Sequence, residues 1–330
     1  MGLSCCGCAR SRLGRSGPSF ASAAVALRSA RMKIQISLAL TAAVLLSACA
    51  GMPSPQPKGA LKVATWNIEH LAERDGEGCR PRTEADYALL RRHADALNAD
   101  VIAFQEVQSE AAARRVFDPA KYDIVFSSRP ASGTGGGCRG KPGLNIQNQS
   151  VGFAVRKGVA WRRNEDLSAL ALGNPNLRWG VDITVGRDNP LRLLAVHLKS
   201  GCNSGRAASD PDCPILFDQA PVLEGWIDSR ARAGEAFVVL GDWNRRIASR
   251  NDAFFAEIND GDPDAAALVQ AAGGRPAECK ARYRDFIDHI VAGREAAARI
   301  EPDSFEEYTY DALEADHPSD HCPVSVRIRG

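Results

Sequence analysis

The segments Ser319-Asp320-His321-Cys322-Pro323-Val324 and Gly241-Asp242-Trp243-Asn244 decide the fold of this chain. Each of them places a carboxylate beside a second polar group at the edge of a predicted strand. Three further segments have the same arrangement, namely Trp66-Asn67-Ile68-Glu69, Gln105-Glu106-Val107 and Val196-His197-Leu198. Ligands of α/β sheets bind beyond the carboxyl ends of the strands, where such groups converge. Carboxylate and amide oxygens suit a hard divalent cation, so the sequence predicts one Mg²⁺ or Mn²⁺ site.

Short apolar segments alternate with segments of helical periodicity from residue 61 to residue 330. The buried strands predicted at 101–104 and 237–240 lead into Glu106 and Asp242. A helix is predicted over 214–233, and Pro221 should kink or restart it. Residues 129–149 contain six Gly and two Pro, which indicates a mobile loop near the entrance of the substrate. No linker divides 61–330, which we therefore predict to be one catalytic domain.

The formal net charge of the chain is +1 only because its N-terminal segment is basic. Residues 1–49 contain six Lys or Arg and no Asp or Glu, so the remainder has 35 basic and 40 acidic residues, a net charge of about −5. This balance does not indicate a globally basic nucleic-acid binder, although a local phosphate-binding patch remains compatible with it. Aromatic residues make up 6% of the chain, which gives no support to an extended base-stacking platform.

Residues 32–49 form a predicted export signal. Lys33 provides a positive start, and the apolar stretch of 34–46 is too short to span a bilayer. The stretch ends in Leu46-Ser47-Ala48-Cys49, which resembles the lipobox of bacterial lipoproteins and implies a lipid on Cys49. We therefore expect a membrane-tethered protein in the periplasm or at the cell surface. The alternative is ordinary cleavage after Ala48-Cys49-Ala50 and free secretion.

Two segments flank this signal. Residues 1–31 are rich in Arg and Ser and lack acidic residues, so they are a doubtful extension. A transit peptide or a myristoylation start is possible there, but a start assigned too far upstream explains them more simply. Residues 50–60 are rich in Pro and are predicted to form an extended tether.

Six cysteines lie beyond the signal, and this even number in an exported domain favours disulfide bonds. None of them has the C-x-x-C spacing of a zinc site. The short separation of Cys202 and Cys213 predicts a bond between them.

The motifs taken together resemble the endonuclease/exonuclease/phosphatase superfamily, which includes deoxyribonuclease I. Phe286-Ile287-Asp288-His289 completes the set of six motifs, which occur in the order of the family and cover nearly all of 61–330. The resemblance implies a four-layer α/β-β/α sandwich, in which two mixed sheets pack face to face with helices outside. With that fold, the remaining cysteines are expected to pair as Cys79–Cys138 and Cys279–Cys322.

The resemblance also implies a role for each motif residue. Glu106, with Asn67, Glu69 and Asp320, would hold the metal ion that neutralises charge on the scissile phosphate. Asp242 would accept a proton from the attacking water, and Asn244 would orient that water. His321, kept protonated by Asp288, would donate to a phosphate oxygen, while His197 would face the leaving group. Arg245 and Arg246 could bind substrate phosphate, although a solvated pair of charges is an equal alternative.

Other residues near the motifs are not assigned a role. His70, His93 and His317 are interpreted as surface or packing residues, and His289 has no expected catalytic part. Glu69, taken alone, is better interpreted as a surface or supporting carboxylate than as a direct ligand. The family usually supports the first histidine with a carboxylate or tyrosine, but Asn148-Gln149-Ser150 offers neither. The partner of His197 is therefore missing or supplied differently.

The expected function is that of a metal-dependent phosphodiesterase, a nonspecific nuclease outside the cytoplasm. The alternative is a phosphatase or phosphodiesterase acting on phospholipid or inositol-phosphate head groups, which the membrane tether would suit. Arg129, Arg139 and Lys141 in the glycine-rich loop favour nucleic acid. A binding module without activity is disfavoured because the catalytic acids are present. No protein partner is indicated, and we expect a monomer.

Overall fold

The computed structural model describes residues 59–132, 135–205 and 210–330. The extension, the signal with Cys49, and residues 50–58 of the tether lie outside the described residues. The described strands are β1 (Ala60–Leu71), β2 (Val101–Val107), β3 (Tyr122–Phe126), β4 (Ser150–Arg156), β5 (Trp161–Arg163), β6 (Val181–Val185), β7 (Leu191–His197), β8 (Phe237–Asp242), β9 (Leu268–Gln270), β10 (Asp288–Gly293), β11 (Glu306–Glu307) and β12 (Val324–Arg329). The helices are α1 (Glu84–Leu97), α2 (Glu110–Val116), α3 (Asp212–Arg232), α4 (Ala253–Ile258) and α5 (Arg294–Ala297), with short 3₁₀ turns at Ser168–Ala171, Asp264–Ala266 and Glu314–Asp316.

The strands form two six-stranded mixed sheets, ordered β11-β12-β1-β2-β4-β3 and β5-β6-β7-β8-β10-β9. Each sheet contains one parallel pair at its centre, β1 with β2 and β7 with β8. The remaining pairs are antiparallel. This is the α/β sandwich that the sequence predicted, and the fold class is confirmed.

Three hydrophobic clusters correspond to the spaces between four layers. The central cluster lies between the sheets and consists mainly of β-branched and aliphatic side chains such as Val63, Val238 and Val326. A second cluster joins the outer face of one sheet to α3 and α4, and a third joins the other sheet to α1 and α2. Side chains alternate between the faces of a strand, so both sheets bury both of their faces.

The bounds of two strands place predicted site residues. Strand β1 continues to Leu71, so Asn67 lies within the strand and pairs with Gln105 of β2. Strand β10 starts at Asp288, because its ladder with β8 begins at Asp242. The helix that contains Pro221 does not restart there, and α3 runs through 21 residues. Packing of its apolar face against the sheet outweighs the one hydrogen bond that Pro221 cannot donate.

Disulfide bonds join Cys79 to Cys138, Cys202 to Cys213 and Cys279 to Cys322. These are the three pairs expected from the sequence. The first joins the glycine-rich loop to the connection between β1 and α1, and the last fixes the residue after His321. Among the described residues, no helix is both long enough and apolar enough to cross a membrane.

Candidate active site

Sheet registers bring the predicted residues to one edge of the sandwich. His197 and Asp242 are aligned at the ends of the parallel strands β7 and β8. Asp288 is the first residue of β10 and is aligned with Asp242, because that strand runs antiparallel to β8. In the facing sheet, β12 starts opposite Thr65 of β1, so the loop that carries His321 lies where β1 delivers its polar residues. Residues that are far apart along the chain therefore lie close together at this edge of the sandwich.

Local backbone features aim the side chains into the site. The register of β2 shifts between Phe104 and Val107, and Glu106 within this irregularity has a positive φ of 60°. Such a bulge turns a side chain out of its alternating position. Gly241 precedes Asp242 because a Cβ there would lie 2.0 Å from the Val196 carbonyl oxygen of β7. The glycine in the Gly-Asp-Trp-Asn motif therefore permits the close approach of these two strands.

Asn67 connects the carboxylates of the two sheets. Its Nδ2 donates to Asp242 Oδ2 at 2.9 Å and to Glu106 Oε1 at 3.3 Å. His197 Nε2 lies 3.4 Å from Asp242 Oδ2 and 3.9 Å from Glu106 Oε1. Asn67 and Asp242 are almost fully buried, whereas the side chain of Glu106 is 16% exposed. These four groups form a single polar cluster between the sheets.

Asp288 and His321 form the second half of the site. His321 Nδ1 lies 2.6 Å from Asp288 Oδ2, and its Nε2 lies 4.0 Å from Asp242 Oδ2. Burial lowers the pKa of His321, but the negative charges of Asp288 and Asp242 outweigh it and raise the pKa well above 6.5. His321 therefore carries a proton at neutral pH, with Nε2 directed toward the centre of the site.

Asp242 and Asn244 are placed to handle a water molecule. Burial raises the pKa of Asp242 to about 7, against the opposing effect of His321. Asp242 Oδ1 accepts the backbone N–H of Asn244 at 2.8 Å. Asn244 has a positive φ of 51°, and its Nδ2 donates to the Leu198 carbonyl at 3.2 Å. Such backbone strain is found at functional sites, where the surrounding structure maintains it.

His197 lacks the partner that the family usually provides. In the described part of the chain, its buried Nδ1 has no hydrogen-bond partner. Arg178 instead donates to the carbonyls of His197 and Leu198, at 3.1 Å and 2.6 Å. Burial, followed by the charge of Arg178, holds the pKa of His197 well below 6.5. His197 is therefore neutral, and Arg178 is a residue near the site that the motifs did not reveal.

Glu69 supports the loop that carries Asp320. Its Oε2 accepts the backbone N–H of Asp320 at 2.9 Å and lies 3.2 Å from Arg80. Buried Arg82 ties the same loop to β1 by donating to the Ile68 and Pro318 carbonyls. Glu69 thus faces the loop and lies outside the Glu106–His197–Asp242 cluster, which favours the supporting interpretation.

The two arginines after Asn244 have different environments. Arg245 is fully buried, with its guanidinium 2.7 Å from Asp252 and bonded to the carbonyls of Cys202 and Gly205. The prediction that Arg245 binds substrate phosphate is therefore wrong, because its guanidinium is buried and already paired with Asp252 and two carbonyls. Arg246 is 29% exposed, and its closest carboxylate is Asp285 at 3.9 Å. It remains a candidate for phosphate binding.

Two predictions about the basic residues need correction. Arg129 is buried and donates to Asn148 and to the Pro175 carbonyl, so it braces the glycine-rich loop from within. His70 was interpreted as a surface or packing residue, but its backbone N–H donates to Glu106 Oε2 at 3.0 Å. Its ring Nε2 lies 3.7 Å from the same oxygen. Its position directly after the Trp-Asn-Ile-Glu motif was the only signal in the sequence.

The other histidines are structural. His289 is buried and its Nε2 contacts the Arg245 carbonyl at 2.8 Å; burial lowers its pKa to about 4. His93 and His317 pack edge-on against Tyr310. None of these three rings lies in the Glu106–His197–Asp242 cluster, in agreement with the sequence interpretation, which assigned them no catalytic role.

The donor set fits a divalent cation at Glu106. Ligand atoms of Glu106, His197 and Asp242 lie within 4.8 Å of one another, and so do those of Asp242, Asp288 and His321. Among the described residues, no Lys or Arg nitrogen lies within 4.0 Å of a carboxylate oxygen of Glu106 or Asp242. Protonated His321 faces Asp242, whereas Glu106 has no Lys or Arg partner, so a hard cation at Glu106 would supply the missing counter-charge. A third group, Cys279, Cys322 and His317, does not fit because its sulfur atoms are bonded to each other.

Comparisons with known proteins agree with this architecture. The chain matches the model of the "Endonuclease/Exonuclease/phosphatase family" over residues 64–321. It superposes on the 3'-5' exonuclease (NExo) from Neisseria meningitidis with a TM-score of 0.54 and 18% identity, covering 82% of this chain and 100% of that chain. A humanized D. rerio TDP2 gives 0.54 and 15%, with 82% and 99% covered. No curated protein sequence matches the chain. The chain therefore belongs to the endonuclease/exonuclease/phosphatase family, whose members hydrolyse phosphate esters.

Proposed function

We propose that this protein is a divalent-metal-dependent phosphodiesterase that cleaves nucleic acid. The observation that carries the proposal is the cluster of Asn67, Glu106, His197 and Asp242, with the Asp288–His321 pair directly beside it. A base, a protonated donor and an uncompensated carboxylate face one space, which is what hydrolysis of a phosphate diester requires.

Glu106, Asn67 and Asp320 would hold the Mg²⁺ or Mn²⁺ ion. The bound ion would neutralise negative charge on the scissile phosphate. Asp242 accepts a proton from the attacking water, and its raised pKa suits a base that works near neutral pH. Asn244 is fixed by its bonds to Asp242 and Leu198, so its side chain limits the directions from which water approaches.

His321 stabilises the charge that develops during the reaction. Its Nε2 proton donates to a non-bridging phosphate oxygen, and Asp288 keeps the ring protonated and oriented. His197 is neutral and buried, so it offers a hydrogen bond at Nε2 and no positive charge. One cationic imidazole and one neutral imidazole therefore lie within 4.0 Å of the same oxygen, Asp242 Oδ2.

Two observations support nucleic acid over a lipid head group. Related structures include the Neisseria enzyme bound to a product DNA hairpin and D. rerio TDP2 with a single-strand DNA product. In the described part of this chain, only four large hydrophobic residues are exposed (Leu172, Val269, Tyr283 and Leu313). A surface that inserts into lipid needs a contiguous apolar patch.

The decisive experiment is nicking of supercoiled plasmid by the purified protein. Nicking should occur with Mg²⁺ or Mn²⁺, stop with EDTA, and be lost in an Asp242→Asn variant that still folds. Val269→Ala, an exposed change on β9, serves as the matched control. A folded protein that binds metal but nicks no plasmid refutes the nuclease proposal, and hydrolysis of phospholipid or inositol-phosphate substrates would then favour the alternative.

The proposed location is outside the cytoplasm, as a membrane-tethered monomeric lipoprotein. The lipobox ending at Cys49 and three disulfide bonds in the domain support it, because disulfides persist in oxidising compartments. Metabolic labelling with a radioactive fatty acid should label the protein and should fail to label Cys49→Ser. Labelling of that variant, or none of the parent, would refute the lipid anchor.

A further inference from the structure

A cleft of about 570 Å³ opens on one side of the catalytic residues. Asn244, Asp288, Asp320 and His321 are among the residues that line it. None of Asn67, Glu106 and His197 lines it, so it extends from the site away from Glu106. Its volume is in the range of sites that bind small organic molecules. A group attached to the scissile phosphate on this side would enter the cleft.

Two disulfide bonds anchor segments that line the cleft. Cys279 is bonded to Cys322, directly after His321. Gly201 and Asn203 flank Cys202, which is bonded to Cys213. A cleft with fixed walls loses little conformational entropy when a ligand binds. The cleft is therefore preformed and suited to a ligand of defined shape.

An aromatic ring stands in the wall next to Cys279. Tyr283 is 40% exposed, and its backbone N–H is bonded to the Lys280 carbonyl. The guanidinium of Arg282 lies 4.5 Å from the centre of the ring and stacks on it. Every nucleobase has a π-face, so an exposed ring beside the site of phosphate cleavage offers a stacking partner.

The charges of the lining are nearly balanced. Five carboxylates line the cleft, together with three Lys or Arg residues and protonated His321 (carboxylates Asp285, Asp288, Glu307, Glu314 and Asp320; cations Arg246, Lys280 and Arg282). This balance suits an uncharged sugar and base better than a ligand rich in phosphate. Acidic side chains also accept hydrogen bonds from the amino groups of bases.

We propose that the cleft is a nucleoside subsite, which binds the nucleoside on the side of the scissile phosphate away from Glu106, with its base stacked on Tyr283. The proposal rests on the phosphodiesterase function and specifies its substrate, a nucleotide chain with an unmodified base at this position.

The test uses a dinucleoside monophosphate, which has one cleavable bond, and its two analogues that each lack one base. Removal of one particular base should lower kcat/KM of the parent protein about tenfold, which is the effect of about 1.4 kcal/mol of lost stacking. Tyr283→Phe should keep this difference, and Tyr283→Ala should abolish it. Val269→Ala should behave as the parent protein.

Binding separates failure of the subsite from failure of the proposed function. The dinucleotide is titrated into Asp242→Asn and into the double variant Asp242→Asn/Tyr283→Ala, and loss of affinity in the double variant supports the subsite even without cleavage. Equal affinity overturns the subsite. Equal cleavage of all three substrates by the parent protein also overturns it, while leaving the nuclease function intact. Absence of cleavage with Tyr283-dependent binding refutes the function alone.

Discussion

Removing Arg245 should destabilise the protein far more than removing Arg246, its neighbour in sequence. Arg245 is fully buried, and its guanidinium makes two contacts with Asp252, at 2.9 Å and 2.7 Å. In Arg245→Ala the carboxylate of Asp252 stays buried without its counter-charge. Breaking a buried pair in this way costs about 3–5 kcal/mol. That is a large part of a typical unfolding free energy of about 5–15 kcal/mol.

The assay is urea unfolding followed by tryptophan fluorescence, with the disulfides intact. A loss of about 4 kcal/mol with a slope of about 3 kcal/mol per M moves the midpoint down by about 1.3 M. Arg246→Ala, the matched control, should move it by less than about 0.2 M because its side chain is partly exposed and weakly paired. Because Arg246 is a candidate for phosphate binding, Arg246→Ala should raise the KM for nucleic acid.

Two outcomes would contradict this reasoning. If Arg245→Ala unfolds within about 0.3 M of the parent protein, the buried pair does not stabilise the fold as its geometry indicates. If Arg245→Ala remains stable but loses affinity for nucleic acid, the original expectation of a phosphate-binding Arg245 is restored. A changed slope would indicate an altered unfolded or native state, and the comparison would then use hydrogen exchange of the Asp252–Phe255 amides.

Three further predictions concern the catalytic groups and pH. Asp288→Asn removes the charge that raises the pKa of His321. The kcat should therefore fall roughly 100-fold near pH 8 and less near pH 6, which a pH profile of kcat measures. A pH profile that is not shifted contradicts this prediction. Mn²⁺ at about 100 times its Kd should stabilise the parent protein by about 2.7 kcal/mol and so raise its Tm. Glu106→Gln should abolish this rise in Tm, and an equal rise in the variant and the parent protein contradicts the prediction. Burial lowers the pKa of His289 from 6.5 to about 4, so its stabilisation is complete above pH 6.5 and decreases as pH falls. Near pH 5 the free energy of unfolding should be about 2 kcal/mol lower than above pH 6.5. His289→Gln should remove this pH dependence, measured by urea unfolding at several pH values, and an unchanged pH dependence refutes the prediction.

The fold and the grouping of the candidate catalytic residues could largely be predicted from the sequence, for a local reason. Each motif joins a buried strand to a polar group, and a desolvated polar group at a strand end needs a partner or a function. The order of the six motifs therefore specified the sandwich and identified Asn67, Glu106, Asp242, Asp288 and His321, which the structure brings together. The pairing of Cys202 with Cys213 could also be predicted locally, because the short loop between them keeps the two sulfur atoms close.

Only the tertiary structure decided what adjacent residues of the same type do. Arg245 and Arg246 are consecutive, but one is enclosed by Asp252 and two carbonyls while the other faces the cleft. His70 and Arg178 reach the site through contacts with Glu106 and with the backbone of His197, which no local pattern encodes. Burial, charge and partner depend on which distant segments pack around a side chain, and these contacts exist only once both sheets are assembled.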